Sequence, residues 1–213
     1  MKTRQEIKAL AREAFAQQRS VGILVFFLLA VIGGVSGSFS NIPAIGWLLS
    51  IAATFIIMVL AVNISGGTFV KIYSRETTTV GEPFSNLSVN FFRKVGGMYW
   101  MALWTTLWTL LLVIPGIVKS YAYLMTPYIL ADCPNVKATE ALKLSMRMTN
   151  GHKMELFVMT LSFIGWALLS VLTFGILWIV YVGPYMETAF AGYYVELRDQ
   201  ALASGLIDRS ELE

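Results

Sequence analysis

An all-α fold, a polytopic bundle of membrane-spanning helices, is what this sequence predicts, and three observations carry the prediction. Of its 213 residues, 56% are hydrophobic and only 14% charged, against about 25% charged in soluble domains. The apolar residues are gathered into runs at residues 21–35, 42–62, 95–114, 156–172 and 176–195. Each approaches the roughly 20 residues a helix needs to cross the hydrocarbon core. The basic residues, finally, fall almost entirely between these runs.

Residues 1–19 carry an order of their own. Ile7, Leu10, Ala11, Ala14 and Phe15 recur at i, i+3, i+4, i+7 and i+8, with Lys8, Arg12 and Glu13 elsewhere. That spacing lays one apolar stripe along a helix. The mixed charge is unlike the start of a cleaved signal peptide. The expectation is an interfacial amphipathic helix on the membrane surface, followed by an uncleaved span.

The stretch LLLVIPGIVKSYAYLMTPYILADC, residues 110–133, decides the number of spans. As a single helix, residues 95–131 would extend about 55 Å, far beyond the ~30 Å core. Pro115 lacks a backbone donor and Gly116 permits a reversal. A break is expected there, with residues 117–131 returning as a short fourth span. Six crossings from a cytoplasmic N-terminus put fifteen of the sixteen basic residues inside. Five crossings would turn Lys137, Lys143, Arg147 and Lys153 outward, against the positive-inside tendency. The outer turns, at residues 36–41, 115–116 and 173–175, hold no charge. Lys119, the sixteenth basic residue, is expected to snorkel from the outer end of the fourth span. Trp47 and Trp178 fall at the outer surface, and Tyr99, Trp100, Tyr193 and Tyr194 at the inner one, as aromatic belts.

One membrane domain, residues 1–213, is therefore expected, with both termini cytoplasmic. Its span pairs are residues 20–62, 95–131 and 155–195. Cytoplasmic amphipathic segments at 84–94 and 137–150 precede the second and third pairs, and a polar tail occupies 199–213. Three amphipathic-helix-plus-hairpin units result. The entries RSVG (19–22) and RKVG (93–96) are alike, and MTPYI (125–129) and VGPYM (182–186) place Pro-Tyr at matching depth. Asn63, with Ser65, Gly66 and Gly67, holds the same place in the second span. Matched breaks of this kind point to an intramembrane site. The candidate set is Asn63, Lys119, Thr126, Pro127, Tyr128, Pro184, Tyr185 and Glu187. If Tyr128, Tyr185 and Glu187 met at one cavity, the proline-freed carbonyls would add acceptors there. The competing reading makes the prolines packing kinks and sends Glu187 to inner headgroup water.

Catalytic patterns are missing. One cysteine, Cys133, excludes an intramolecular disulfide, and His152 is the sole histidine. HExxH, GxSxG and GxxxxGK[ST] do not occur, and Asp132, Glu140 and Glu155 are spread along the interface. A non-enzymatic protein without cofactor or metal is expected. Trp100, Trp104 and Trp108 form an indole stripe that suits packing or lipid contact. The single GxxxG at Gly33 and Gly37 is too short to define a dimer face.

IPGIVKSYAYLMTPYILAD followed by EALKLSMRMTNGHKMELF resembles a bacterial membrane-protein family, domain of unknown function 975. EIKALAREAF and GPYMETAFAGYYVELR resemble that family's two ends. The entry AQQRSVG departs from it where a glycine and an aromatic are expected. The helix–Gly–span entry is also similar to the membrane domain of some glycerophosphodiester phosphodiesterases, whose catalytic domain has no counterpart here. The resemblance implies a bacterial plasma-membrane protein and transfers no site residues. The function expected is a scaffold or accessory protein that binds lipid or a protein partner. Its partners would be anionic headgroups at the cytoplasmic face and another protein or a second copy, not nucleic acid. The alternative is a small transporter or channel-like protein using the Pro-Tyr breaks.

Overall fold

The computed structural model of the chain describes residues 2–39, 42 and 45–212, and all of its regular elements are helical. Helix α1 (Arg4–Gln17) leads into α2 (Arg19–Ser38), and α3 (Gly46–Val62) returns beside it through a π-helical segment (Asn63–Phe69) into α4 (Val70–Tyr73). A short α5 (Glu82–Ser85) precedes α6 (Phe91–Leu111), which returns as α7 (Val113–Ala122) and α8 (Thr126–Asp132). Helix α9 (Ala138–Met148) precedes α10 (Lys153–Leu161) and α11 (Ile164–Leu172). A second π-helical segment (Trp178–Val182) then opens α12 (Gly183–Ala203). Among the described residues, three helical stretches are long and apolar enough to cross a membrane: Arg19–Ser38, Gly46–Tyr73 and Lys153–Leu172. Large apolar side chains such as Phe27, Trp47, Leu103 and Leu168 stand exposed along the hairpins. Ser40 and Asn41, in the expected first outer turn, lie outside the described residues.

Helix α12 is the axis of the molecule. From Gly183 to Tyr194 it is buried almost all round, and Tyr193 and Tyr194 have no exposed surface. A helix buried on every side needs neighbours on every side. Helix α1 is one of them. A Thr3–Glu6 capping box starts it, satisfying two of its orphan backbone donors. Ile7, Ala11, Ala14 and Phe15 are fully buried, and α1 lies against α12 and α4. An amphipathic helix is therefore present, and four of the five residues of its apolar stripe, all but Leu10, are buried against protein. Helix α9 behaves alike. Ala141, Leu142, Leu144, Ser145 and Met148 are buried where it packs on α6 and α8.

Two expected boundaries move. The reversal in the opening stretch falls at Leu112, the one extended residue (φ −157°, ψ 132°) between α6 and α7. Pro115 sits in the first turn of α7, where a missing N–H costs nothing. Gly116 serves close approach instead of reversal: a Cβ there would meet Thr109 Cα at 2.6 Å. The tail is docked, too. Ile207 is buried, and Arg147 binds Glu211 at 2.5 Å.

The three returning halves share one irregularity. Each breaks its α-helix partway: at Asn63–Phe69, at residues 123–125 and at Trp178–Val182. Pro127 and Pro184 are near the N-termini of the helices that follow. Pro127 starts its helix, and the Tyr123 carbonyl four residues before it accepts from the Thr126 N–H. Pro184, by contrast, follows the second π-helical segment directly, with Val182 and Gly183 both helical.

Gly66 is the tightest point between two breaks, for a Cβ there would lie 2.5 Å from Ala131 Cβ and 2.8 Å from Tyr128 Cα. At neighbouring Gly67 a Cβ would meet nothing within 4 Å. Gly66→Ala should therefore lower stability by about 1–3 kcal/mol through overpacking. Gly67→Ala should stay within about 0.5 kcal/mol of the parent. Thermal unfolding in detergent micelles measures both.

Candidate functional site

The returning halves meet at a polar node, at the first break and just beyond the other two. The backbone of Tyr128 lies against Gly66 of the first π-helical segment, and the Tyr128 hydroxyl donates to Glu187 Oε2 at 3.0 Å. Ser65, in the first π-helical segment, neighbours that carboxylate. Each of the three returning halves thus contributes one member. The Tyr128 ring stacks on Tyr194, with centroids 5.5 Å apart and planes 21° apart. The Tyr194 hydroxyl donates to Asp132 Oδ2 at 2.7 Å, and Arg198 Nη1 donates to the same oxygen at 2.6 Å. Glu187, Tyr194 and Arg198 are spaced by seven and four residues, and Tyr128 and Asp132 by four. Both spacings line one helical face. A ladder of polar contacts accordingly runs down the seam between α8 and α12.

Other members of the predicted set lie elsewhere. Tyr185 does not join Glu187, because two residues of helix turn the chain by about 200°. Its hydroxyl donates to the Lys8 carbonyl at 3.3 Å, and its ring meets Phe163 at 5.4 Å. The expected convergence of Tyr128, Tyr185 and Glu187 is thereby corrected to Tyr128 and Glu187, with Ser65 as the third member. Lys119 is held over the rings of Trp108 (5.1 Å) and Tyr123 (5.9 Å), with Met146 Sδ at 3.8 Å. Aromatic faces, not Glu187, attract its ammonium. Thr126 is fully buried, and its hydroxyl has no partner among the described residues. Pro184 accepts the Thr188 hydroxyl at 2.7 Å.

Asn63 belongs to a second polar group, at the far end of the π-helical segment. Its amide donates to the Pro83 carbonyl at 2.9 Å, and its carbonyl accepts from Lys94 Nζ at 2.6 Å. Arg93 donates to the carbonyls of Leu130, Cys133 and Val136. Cations suit a helix C-terminus, and this guanidinium closes that of α8. Glu82 pairs with Lys71 and accepts from the Thr78 hydroxyl at 2.7 Å. Burial would push its carboxyl up, but these two partners outweigh burial and hold it below the ordinary value. Burial pushes the Cys133 thiol up to about 11, which leaves little thiolate for chemistry at neutral pH. Among the described residues, no three His, Cys, Asp or Glu side chains gather as metal ligands.

Sequence reasoning counted Lys94, Arg93 and Arg198 only as cytoplasmic charge and passed over Thr68. A signal existed for Lys94. It begins an apolar run whose antiparallel neighbour carries the isolated polar residue Asn63 at its lower end.

The fold and these polar groups define the class: an all-helical protein, with helices able to span a membrane, held together by polar seams between helix breaks. Residues 88–201 match the family model described as "Protein of unknown function (DUF975)". That is more than half the chain, which belongs to this family. No curated protein and no solved structure matches the chain. The matched region takes in α6 to α12 and so contains Tyr128, Asp132, Glu187, Tyr194 and Arg198.

Proposed function

We propose that this is a multi-pass scaffold or accessory protein of a bacterial plasma membrane, with six spans and both ends of the chain cytoplasmic. The observation that supports it is the closure of the breaks. A transporter of this size would keep its broken helices open around a substrate, whereas here Gly66 packs on the Tyr128 backbone and Glu187 is engaged by Tyr128. Tyr128 and Glu187 serve one another across the seam. What the bundle offers outside is an apolar band for lipid and, at one end, the basic residues of α1, α9 and the connecting turns.

The charge distribution supports the six-span reading, since each hairpin tip is uncharged and each opposite end is basic. In a Cys133→Ala background, cysteines at Ser38, Ile114 and Thr173 should react with an impermeant thiol reagent added to intact cells. All three positions are exposed. Cysteines at Ser74 and Asn150, also exposed, should react only after the cells are opened. Reaction at Asn150 from outside would mean five crossings.

The functional reading has its own test. Native mass spectrometry of protein extracted in mild detergent should show stoichiometric lipid, a partner protein or a second copy bound to the chain. A bare monomer under those conditions, together with solute flux in proteoliposomes, would favour the transporter.

A further inference from the structure

Between the first π-helical segment, α5 and the start of α6 lies a cavity of about 200 Å³. Asn63, Thr68, Glu82, Asn86, Arg93 and Lys94 form most of its polar wall. Lys94 is only 4% exposed. Among the described residues, besides Asn63 its ammonium reaches only the Asn86 carbonyl, at 3.5 Å, the outer limit of a hydrogen bond. Among the described residues, no carboxylate lies within 4 Å of the Lys94 or Arg93 charge. Glu82 faces the same cavity, but its two oxygens are taken by Lys71 and Thr78. A buried charge without a counter-charge is costly, and proteins retain one where something pairs with it.

Two further donors around this space are unused. Arg93 Nε and the fully buried Thr68 hydroxyl have no hydrogen-bond partner among the described residues. The two Nη groups of Arg93 are committed to the carbonyls of Leu130, Cys133 and Val136, which fixes the guanidinium in place. Uncompensated positive charge thus lines a small void, and two spare donors belong to residues of its wall. We propose that this cavity binds a phosphoryl group, with Lys94 supplying the charge and Arg93 Nε and Thr68 donating hydrogen bonds.

Size and chemistry both favour that ligand class. The void is smaller than the roughly 300–1,000 Å³ of ordinary small-molecule pockets, so it takes a head, not a whole organic ligand. A phosphoryl group brings negative charge and three strong acceptor oxygens, matching a cation and two further donors. The group can come from a lipid headgroup or from a free phosphate. Val89, on the cavity wall, and Phe92, beside it, are exposed by 48% and 87%, and apolar side chains in such a place suit acyl chains. Only the lipid source rests on the six-span reading; the phosphoryl site itself does not.

The test uses the full chain in uncharged detergent micelles and reads its thermal midpoint. The ligands are dioctanoyl phosphatidic acid, inorganic phosphate and, as the uncharged control, dioctanoylglycerol. At least one phosphoryl compound should raise the midpoint, because a ligand of the folded state stabilises it by mass action, and dioctanoylglycerol should not. A response to phosphatidic acid alone identifies a lipid headgroup; a response to inorganic phosphate identifies a free anion. Lys94→Gln and Thr68→Val should each weaken the apparent affinity by about tenfold or more, as loss of a hydrogen bond to a charged group does. Lys119→Gln, a basic residue outside the cavity, should leave it unchanged. If Lys94→Gln does not fold, Thr68→Val carries the test, since it exchanges a hydroxyl for a methyl of similar size. No midpoint shift with either phosphoryl compound, or an undiminished shift in Thr68→Val, overturns the proposal. Failure here leaves the thiol-labelling pattern untouched, so the two readings fail separately.

Discussion

The contact of Gly66 with Tyr128, and through Tyr128 with Glu187, is the constraint around which the bundle is arranged. Three chain segments give up regular α-helix at this level. Broken helices expose backbone and polar side chains that lipid cannot satisfy. Placing the breaks against one another lets them satisfy each other. The glycine lets two backbones approach; the tyrosine hydroxyl then reaches the carboxylate. A hydrogen bond to a charged group is worth about 1.5–3 kcal/mol, and leaving the acceptor buried without it costs a similar amount. Below the node, Tyr194, Asp132 and Arg198 extend the same seam, so side chains of α8 and α12 are hydrogen-bonded at two levels.

From this seam follows the role of the amphipathic helices. Helix α12 meets α8 through long side chains, while its backbone packs closely on α1, α4 and the first π-helical segment, and α1 supplies Ile7, Ala11, Ala14 and Phe15. Helix α9 covers α6 and α8 in the same manner. Of the basic residues opposite these stripes, Lys8 is engaged by Ser162 and Phe163 and Arg147 by Glu211; the proposed membrane surface would meet the others. Attraction to anionic lipid through them would contribute about 1 kcal/mol per residue without exposing the apolar stripe. The two kinds of surface, apolar hairpin and charged end, thus separate along the molecule.

Much of this organisation was legible because it is periodic. The stripe of α1 and the repeated hairpin unit were readable from spacing, and the matching irregularity of Asn63–Phe69 with the two Pro-Tyr breaks was readable from depth. Partners were not. Nothing local distinguishes a stripe that covers lipid from one that covers another helix, and α1 proved to cover α12. The turn in the opening stretch was assigned to Pro115-Gly116 because both residues punctuate helices. In the fold Pro115 is placed where helices accept proline, and Gly116 answers a contact with Thr109 on another helix. Tyr185 was grouped with Tyr128 and Glu187 because the two Pro-Tyr breaks match in depth, although helical geometry sets Tyr185 and Glu187 on opposite faces. Lys94 was read as a topological charge; its burial beside Asn63 depends on a contact between residues thirty-one apart.

The central claim is that the breaks are held together by Tyr128 and Glu187, and a double-mutant cycle addresses it most directly. Tyr128→Phe and Glu187→Gln, singly and combined, would be compared by unfolding in detergent micelles. The account predicts that the double variant loses less stability than the sum of the two single variants, with a coupling of about 1 kcal/mol or more. Strictly additive losses, within about 0.3–0.5 kcal/mol, would show that the two side chains do not interact and would contradict it.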